Sequence, residues 1–166
     1  MAGRVLFFCT GNICRSPVAE AVARQTFGYL GLTFCSAGLE APIGRPASRD
    51  SEIYALETGT SLTDHASRTI SSEVLARVGW VIGMTRSHTA IFRSRYRDVY
   101  GGNIGLLGAP GTDLGKTTHS PAVEEVADPY GGSREEYQLV CIQIRRLLDG
   151  WETCFTELAT GKDTSS

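Results

Sequence analysis

The sequence predicts a single α/β domain, three layers deep, with a four-stranded, mostly parallel central sheet between helices. Three observations carry that reading. Short, continuously apolar runs such as Val5-Leu6-Phe7-Phe8 have the character of strands buried on both faces. A segment with helical spacing follows nearly every one of them, which implies right-handed crossovers and a parallel sheet. The chain of 166 residues, 42% hydrophobic and 20% charged, suits one domain with a core of its own. That domain is expected over residues 1–160, with a frayed tail over 161–166.

The elements follow in order. Residues 4–9 form the first strand. Residues 17–28 read as a helix with Val18, Ala21, Val22 and Gln25 along one face and Pro17 as first helical residue behind a Ser16 cap. A second strand covers 32–36 and ends at Ala37-Gly38. After a loop rich in Gly and Pro, residues 47–57 carry Ile53 and Leu56 at helical spacing. Residues 63–67 are a polar loop, and a short helix is expected near 71–77. Residues 80–84 make the third strand, 87–96 the next helix, and 104–107 the fourth strand. Residues 108–132 are turn-rich. One long helix is expected over 133–158, with Leu139, Ile142, Leu147 and Phe155 available to pack.

Composition excludes several function classes. The net charge of −2 and the lack of a Lys/Arg cluster give no footprint for nucleic acid or an acidic membrane surface. The apolar start is too short for a secretory signal, and no later run approaches membrane-spanning length, so a cytoplasmic location is expected. Five cysteines without regular spacing argue against a disulfide framework and for a reducing compartment. Cys35, Cys141 and Cys154 read as small buried or half-buried residues. The three histidines, His65, His88 and His119, are isolated and lack ligand spacing, so neither a metal nor another cofactor is expected.

The most informative stretch is Cys9-Thr10-Gly11-Asn12-Ile13-Cys14-Arg15-Ser16-Pro17, where a buried-type strand runs into a tight loop and a helix start. Gly11 and Asn12 suit the left-handed backbone of such a loop. The N–H groups of Thr10, Gly11, Asn12, Ile13, Cys14 and Arg15 can then converge on one anion. They are reinforced by the helix dipole and by the Arg15 guanidinium, which grips oxyanions with two prongs. The same field stabilises a thiolate, which makes Cys9 a nucleophile. Parallel α/β sheets bind ligands beyond the carboxyl ends of their strands, where this loop falls. Cys14 reads equally as an inward-packing loop residue or as a redox partner that bridges Cys9 after oxidation. A thiolate attacking phosphorus also needs an acid for the leaving group. Asp128, in Ala127-Asp128-Pro129-Tyr130-Gly131-Gly132, is the best candidate, with Tyr130 offering an aromatic face at a pocket mouth.

These residues resemble the low-molecular-weight protein tyrosine phosphatases over nearly the whole chain. The resemblance is carried by the loop from Cys9 to Pro17, by Ser36-Ala37-Gly38, Asp64-His65 and Met84-Thr85, and by Asp128-Pro129. It implies a phosphatase fold of the flavodoxin-like kind, with Cys9 as nucleophile, Arg15 and the loop amides as phosphate clamp, and Asp128 as general acid and then base. It implies a cysteinyl-phosphate intermediate without metal, a phosphorylated protein as substrate and inorganic phosphate as product. By the same match, Asn12, Ser16, Ser36 and His65 form a supporting network: Ser16 donates to the thiolate, while Ser36 and His65 hold Asn12 in its left-handed conformation.

Two departures bear on the substrate. The tyrosine-specific branch usually carries an aromatic after the second strand and paired tyrosines after Asp-Pro. Here Glu40, Ala41 and Pro42 fill the first place, and Tyr130 is followed by two glycines. Residues 84–88, 96–99 and 128–133 look more like the bacterial protein-arginine phosphatase branch, which, however, carries Thr where this chain has Ile13. An isoleucine floor suits a phenyl ring better than a guanidinium. The expected substrate pocket, of Ile13, Glu40 and Tyr130, is therefore assigned to phosphotyrosine, with phosphoarginine as the alternative. Thiol-dependent arsenate reductases share fold and loop but use two further redox cysteines in mid-chain, and none lies between Cys35 and Cys141. A silent phosphate-binding or docking module is disfavoured because every reactive residue is present.

Overall fold

Alternate residues of the first strand go to opposite sides of the sheet. Val5, Phe7 and Cys9 join one apolar cluster, while Leu6 and Phe8 join another, the period of two that a strand imposes. The computed structural model describes residues 3–119 and 121–162. Its elements are β1 (Arg4–Cys9), α1 (Arg15–Phe27), a 3-10 turn (Gly28–Leu30), β2 (Thr33–Gly38), α2 (Arg49–Glu57), α3 (Ser72–Leu75), β3 (Val78–Gly83), α4 (Arg86–Tyr96), β4 (Asn103–Leu106), α5 (Arg134–Asp149) and α6 (Glu152–Thr160).

All sheet pairings are parallel and the order is β2-β1-β3-β4. The first cluster is covered by α1, α5 and α6 through Val18, Val22, Ile144, Leu148 and Phe155. The second is covered by α3 and α4 through Val74, Leu75 and Phe92. β2 and β3 thus flank β1 from opposite sides. The carboxyl end of β1 is the point where the winding reverses, and there a crevice opens.

Several boundaries differ from the sequence reading. The expected helix over 133–158 is two helices, because the chain breaks at Gly150-Trp151. The Trp151 indole turns into the core, donates to the Leu107 carbonyl at 2.9 Å and meets Trp80 edge-on. The packed stripe of α5 is Tyr137, Cys141, Ile144 and Leu148, so Leu139 and Ile142 face outward, 66% and 55% exposed. In α2 the buried residues are Ser51, Tyr54 and Ala55, while Ile53 is only half-buried and Leu56 is exposed. Gln25 is likewise exposed, and its amide donates to the Thr58 carbonyl. Helix α1 begins at Arg15 with Cys14 as N-cap, not at Pro17 behind Ser16. The Ser16 side chain is committed elsewhere, and a proline in the first turn forfeits only an N–H that has no helical partner. Gly161 closes α6 in the left-handed conformation, and residues 163–166 of the expected tail lie outside the described residues.

Candidate active site

The strand delivers Cys9 to the crevice floor, 3% exposed, and the next six residues wrap back into α1. The loop's turn is made by Asn12, with φ of 54°, while Gly11 keeps a negative φ; the expected pair of left-handed residues is thus one. A non-glycine residue there costs on the order of 1–3 kcal/mol. Asn12 repays it through every polar atom of its side chain. Its Oδ1 accepts from the Arg68 N–H at 3.1 Å, and its Nδ2 donates to Ser16 and Ser36 hydroxyl oxygens at 3.0 Å each. The Asn12 carbonyl accepts from His65 Nε2 at 2.7 Å, which fixes that ring's tautomer. Four hydrogen bonds at roughly 1 kcal/mol each exceed the strain.

The network has a direction. Ser36 gives its own hydrogen to the Glu20 carboxylate at 2.6 Å, and Glu20 pairs with Arg24 at 2.7 Å. Ser36 therefore receives from Asn12, which orients the amide so that Ser16 also receives. The Ser16 hydrogen is left for Cys9 Sγ, 3.0 Å away. A hydroxyl donating to sulfur stabilises the thiolate. Gly38 is required where β2 meets this loop, since a Cβ there would lie 2.5 Å from the Thr10 carbonyl oxygen.

Arg15 is 5% exposed. Its Nη1 donates to the Val126 carbonyl at 3.0 Å and its Nη2 lies 3.7 Å from Asp128, while its buried Nε meets no partner among the described residues. A buried guanidinium N–H without an acceptor is costly unless an anion comes to it. Asp128 belongs to a segment tied to the sheet by Val126, whose N–H donates to the Met84 carbonyl. Its Oδ1 accepts from the Tyr130 N–H at 3.1 Å, and its side chain is 55% exposed.

Cys9, Thr10, Gly11, Asn12, Ile13, Cys14 and Arg15 line one cavity of about 230 Å³ together with Pro42, Asp128 and Tyr130. Glu40 does not line it. Arg95 of α4 draws the Glu40 carboxylate into an ion pair at 2.8 Å, and Pro42, its carbonyl held by the Ser67 hydroxyl, takes the wall instead. Cys14 is buried with its Sγ 3.6 Å from the Tyr137 hydroxyl; burial pushes its thiol pKa up. The thiols of Cys141 and Cys154 are pushed up to about 12 by burial, and Cys35 is raised for the same reason.

One neighbour escaped the sequence reading. His88 is not an isolated histidine: its Nε2 lies 3.2 Å from the Thr10 hydroxyl. Burial, then the Arg15 charge, lowers its pKa to about 4. The signal was topological, because a residue in the first turn after β3 must stand beside the end of β1.

Comparison with known proteins follows the same lines. Residues 4–162 match the family model described as low molecular weight phosphotyrosine protein phosphatase. The chain is 28% identical to the low molecular weight protein-tyrosine-phosphatase Wzb of Salmonella typhimurium, over 91% of this chain and 93% of the other. It is 30% identical to a protein-arginine-phosphatase of Geobacillus stearothermophilus, over 90% and 93%. The crystal structure of the tyrosine phosphatase AmsI of Erwinia amylovora superposes with a TM-score of 0.77 at 27% identity, covering 93% of each chain.

Proposed function

The chain belongs to the low molecular weight phosphotyrosine protein phosphatase family, and we propose that it hydrolyses phosphotyrosine on proteins through a phosphocysteine at Cys9. The observation that carries this reading is one cavity lined by Cys9, Arg15 and Asp128 together, with the buried Nε of Arg15 left without a hydrogen-bond partner among the described residues. The phosphoryl oxygens take the amides of residues 10–15 and the Arg15 fork. The thiolate, held by Ser16, attacks phosphorus from the cavity floor. The bond to the leaving oxygen breaks as Asp128 delivers its proton there. Asp128, now a carboxylate, takes a proton from a water that attacks the phosphocysteine, so that inorganic phosphate leaves and the thiolate is restored. Arg15 and the loop amides stabilise the equatorial charge throughout.

The preference for an aryl leaving group rests on the apolar surface that Ile13, Pro42 and Tyr130 give the cavity lining. The similarity to a protein-arginine-phosphatase supports phosphoarginine as the second reading. Matched phosphotyrosine and phosphoarginine peptides decide between them by kcat/KM: a higher value for phosphotyrosine is expected, and a reversed ratio reassigns the substrate. Cys14 serves as redox partner in the same reading. Peroxide oxidises Cys9 to a sulfenic acid, the Cys14 sulfur attacks it, and water leaves. Peptide mapping after mild peroxide should show that bridge; an overoxidised Cys9 beside a free Cys14 contradicts it.

A further inference from the structure

His88 is the third residue of α4, and its N–H is taken by the Thr85 hydroxyl that caps the helix, at 3.1 Å. The residue is 5% exposed, with the ring centroid 6.2 Å from that of Phe8. Its two nitrogens differ: Nε2 is 3.2 Å from Thr10 Oγ1, while Nδ1 is buried and has no hydrogen-bond partner among the described residues.

A neutral imidazole carries one N–H, and the two tautomers have different consequences here. With the hydrogen on Nδ1, a buried donor is orphaned and Thr10 must spend its own hydrogen on Nε2. With it on Nε2, the ring donates to Thr10 and leaves only a bare lone pair unmet, a smaller penalty than an unmet donor. The doubly protonated ring would bury a cationic N–H beside Arg15. Asp128 and Glu125 oppose that effect but do not overcome it, so the ring is neutral near neutral pH.

We propose that His88 is a positioning residue that acts through Thr10: its Nε2–H holds the Thr10 oxygen, so that the Thr10 hydroxyl hydrogen becomes a donor to an oxyanion in the cavity. Thr10 lines that cavity, and the inference rests on reading the loop as an oxyanion cradle. The arrangement matches the one behind the loop. There Asn12 donates to the Ser16 oxygen and thereby frees the Ser16 hydrogen for Cys9. Two hydroxyls of one loop, Thr10 and Ser16, are each met by a side-chain nitrogen, at 3.2 and 3.0 Å, which in this reading leaves the hydroxyl hydrogen free for another acceptor.

Sulfate is the probe, since it stays a dianion across the working pH range and is not hydrolysed. Thr10→Val and His88→Ala should each weaken sulfate binding roughly tenfold, the scale of one hydrogen bond to a charged group. The double variant should be no weaker than Thr10→Val alone. Thr10→Ser, which keeps the hydroxyl, should recover most of the loss seen in Thr10→Val, and His88→Gln, which restores an N–H at the same reach, should recover most of that seen in His88→Ala. In the native protein, nitrogen-resolved NMR of the ring, assigned by its absence in His88→Gln, should show the hydrogen on Nε2. A hydrogen on Nδ1, additive losses, or unchanged affinity in His88→Ala each overturn the proposal. If the native protein itself fails to bind sulfate, the cradle reading falls, a result distinct from native binding that ignores His88.

Discussion

The back and the front of the Cys9 loop are built on opposite principles. Behind it, Asn12 and Ser16 are fully buried and Ser36 is 3% exposed, and each side chain donates or accepts in a directed chain that ends on Cys9. In front, Tyr130 is 70% exposed, and Asp128 is held by one backbone N–H and a 3.7 Å approach to Arg15. The difference follows the chemistry. Every substrate presents the same phosphoryl group to the floor, so the floor gains from rigidity. The leaving group and the protein behind it vary, so the mouth stays open and adaptable.

The largest effects should come from the floor. Cys9→Ser should abolish turnover while leaving oxyanion binding in place. Arg15→Lys should lose on the order of 10³-fold in kcat/KM, because a point charge cannot make the two-pronged contact. Steady-state kinetics together with sulfate titration separate the two. Appreciable turnover by Cys9→Ser breaks the comparison at its root.

Asp128 belongs to the mouth yet is the proposed general acid. Asp128→Asn should lower kcat/KM, which reports formation of the phosphocysteine, by roughly 10²- to 10⁴-fold for poor leaving groups and far less for an activated aryl phosphate, whose kcat falls instead at the hydrolysis step. Equal losses on both substrates would make Asp128 a structural residue.

Asn12 gives the sharpest test of the back. Asn12→Ala should cut kcat roughly tenfold or more for every substrate. It should also destabilise the fold by about 2–3 kcal/mol, a fall in Tm of roughly 5–10 °C, because buried partners are orphaned and the backbone strain is left. Asn12→Gly relieves the strain but not the lost bonds, so it should recover part of the Tm and little of the kcat. Parallel recovery of both would mean that the network only supports the fold.

The smallest effects belong to the mouth. Tyr130→Ala should raise KM for phosphotyrosine peptides a few-fold, roughly 1 kcal/mol of aromatic contact, and leave Tm unchanged. Ile13→Thr should move the phosphotyrosine to phosphoarginine ratio toward arginine without lowering activity on a small aryl phosphate. A Tm loss in Tyr130→Ala as large as in Asn12→Ala would erase the distinction between the two regions.

The floor was legible in the sequence because it is contiguous: strand, cysteine, loop, arginine and helix lie within one short run, and local chemistry alone dictates their order. The strands were legible because each is buried on both faces. What stayed hidden depends on partners far along the chain. The break at Gly150-Trp151 is set by a carbonyl at Leu107, and the loss of Glu40 from the pocket is set by Arg95. His88 gains its role from Thr10, a contact no local pattern encodes. The apolar residues Leu139 and Ile142 misled for a related reason, since only the angle at which α5 meets α1 decides which of its stripes is buried. The roles of Asn12, Ser16, Ser36 and His65 came from family resemblance, and the directed hydrogen bonds give them a physical account.

We propose Cys9 as the residue that carries the phosphoryl group. The most direct measurement is an acid quench of Asp128→Asn during turnover of an activated aryl phosphate, followed by mass analysis of the peptides. This variant should still form the phosphoenzyme with a good leaving group, while it lacks the proposed base for its hydrolysis. One phosphoryl group should accumulate on the peptide containing Cys9, localised to its sulfur. A phosphoryl group on any other residue, or continued turnover of the native protein with none on Cys9, would contradict that assignment.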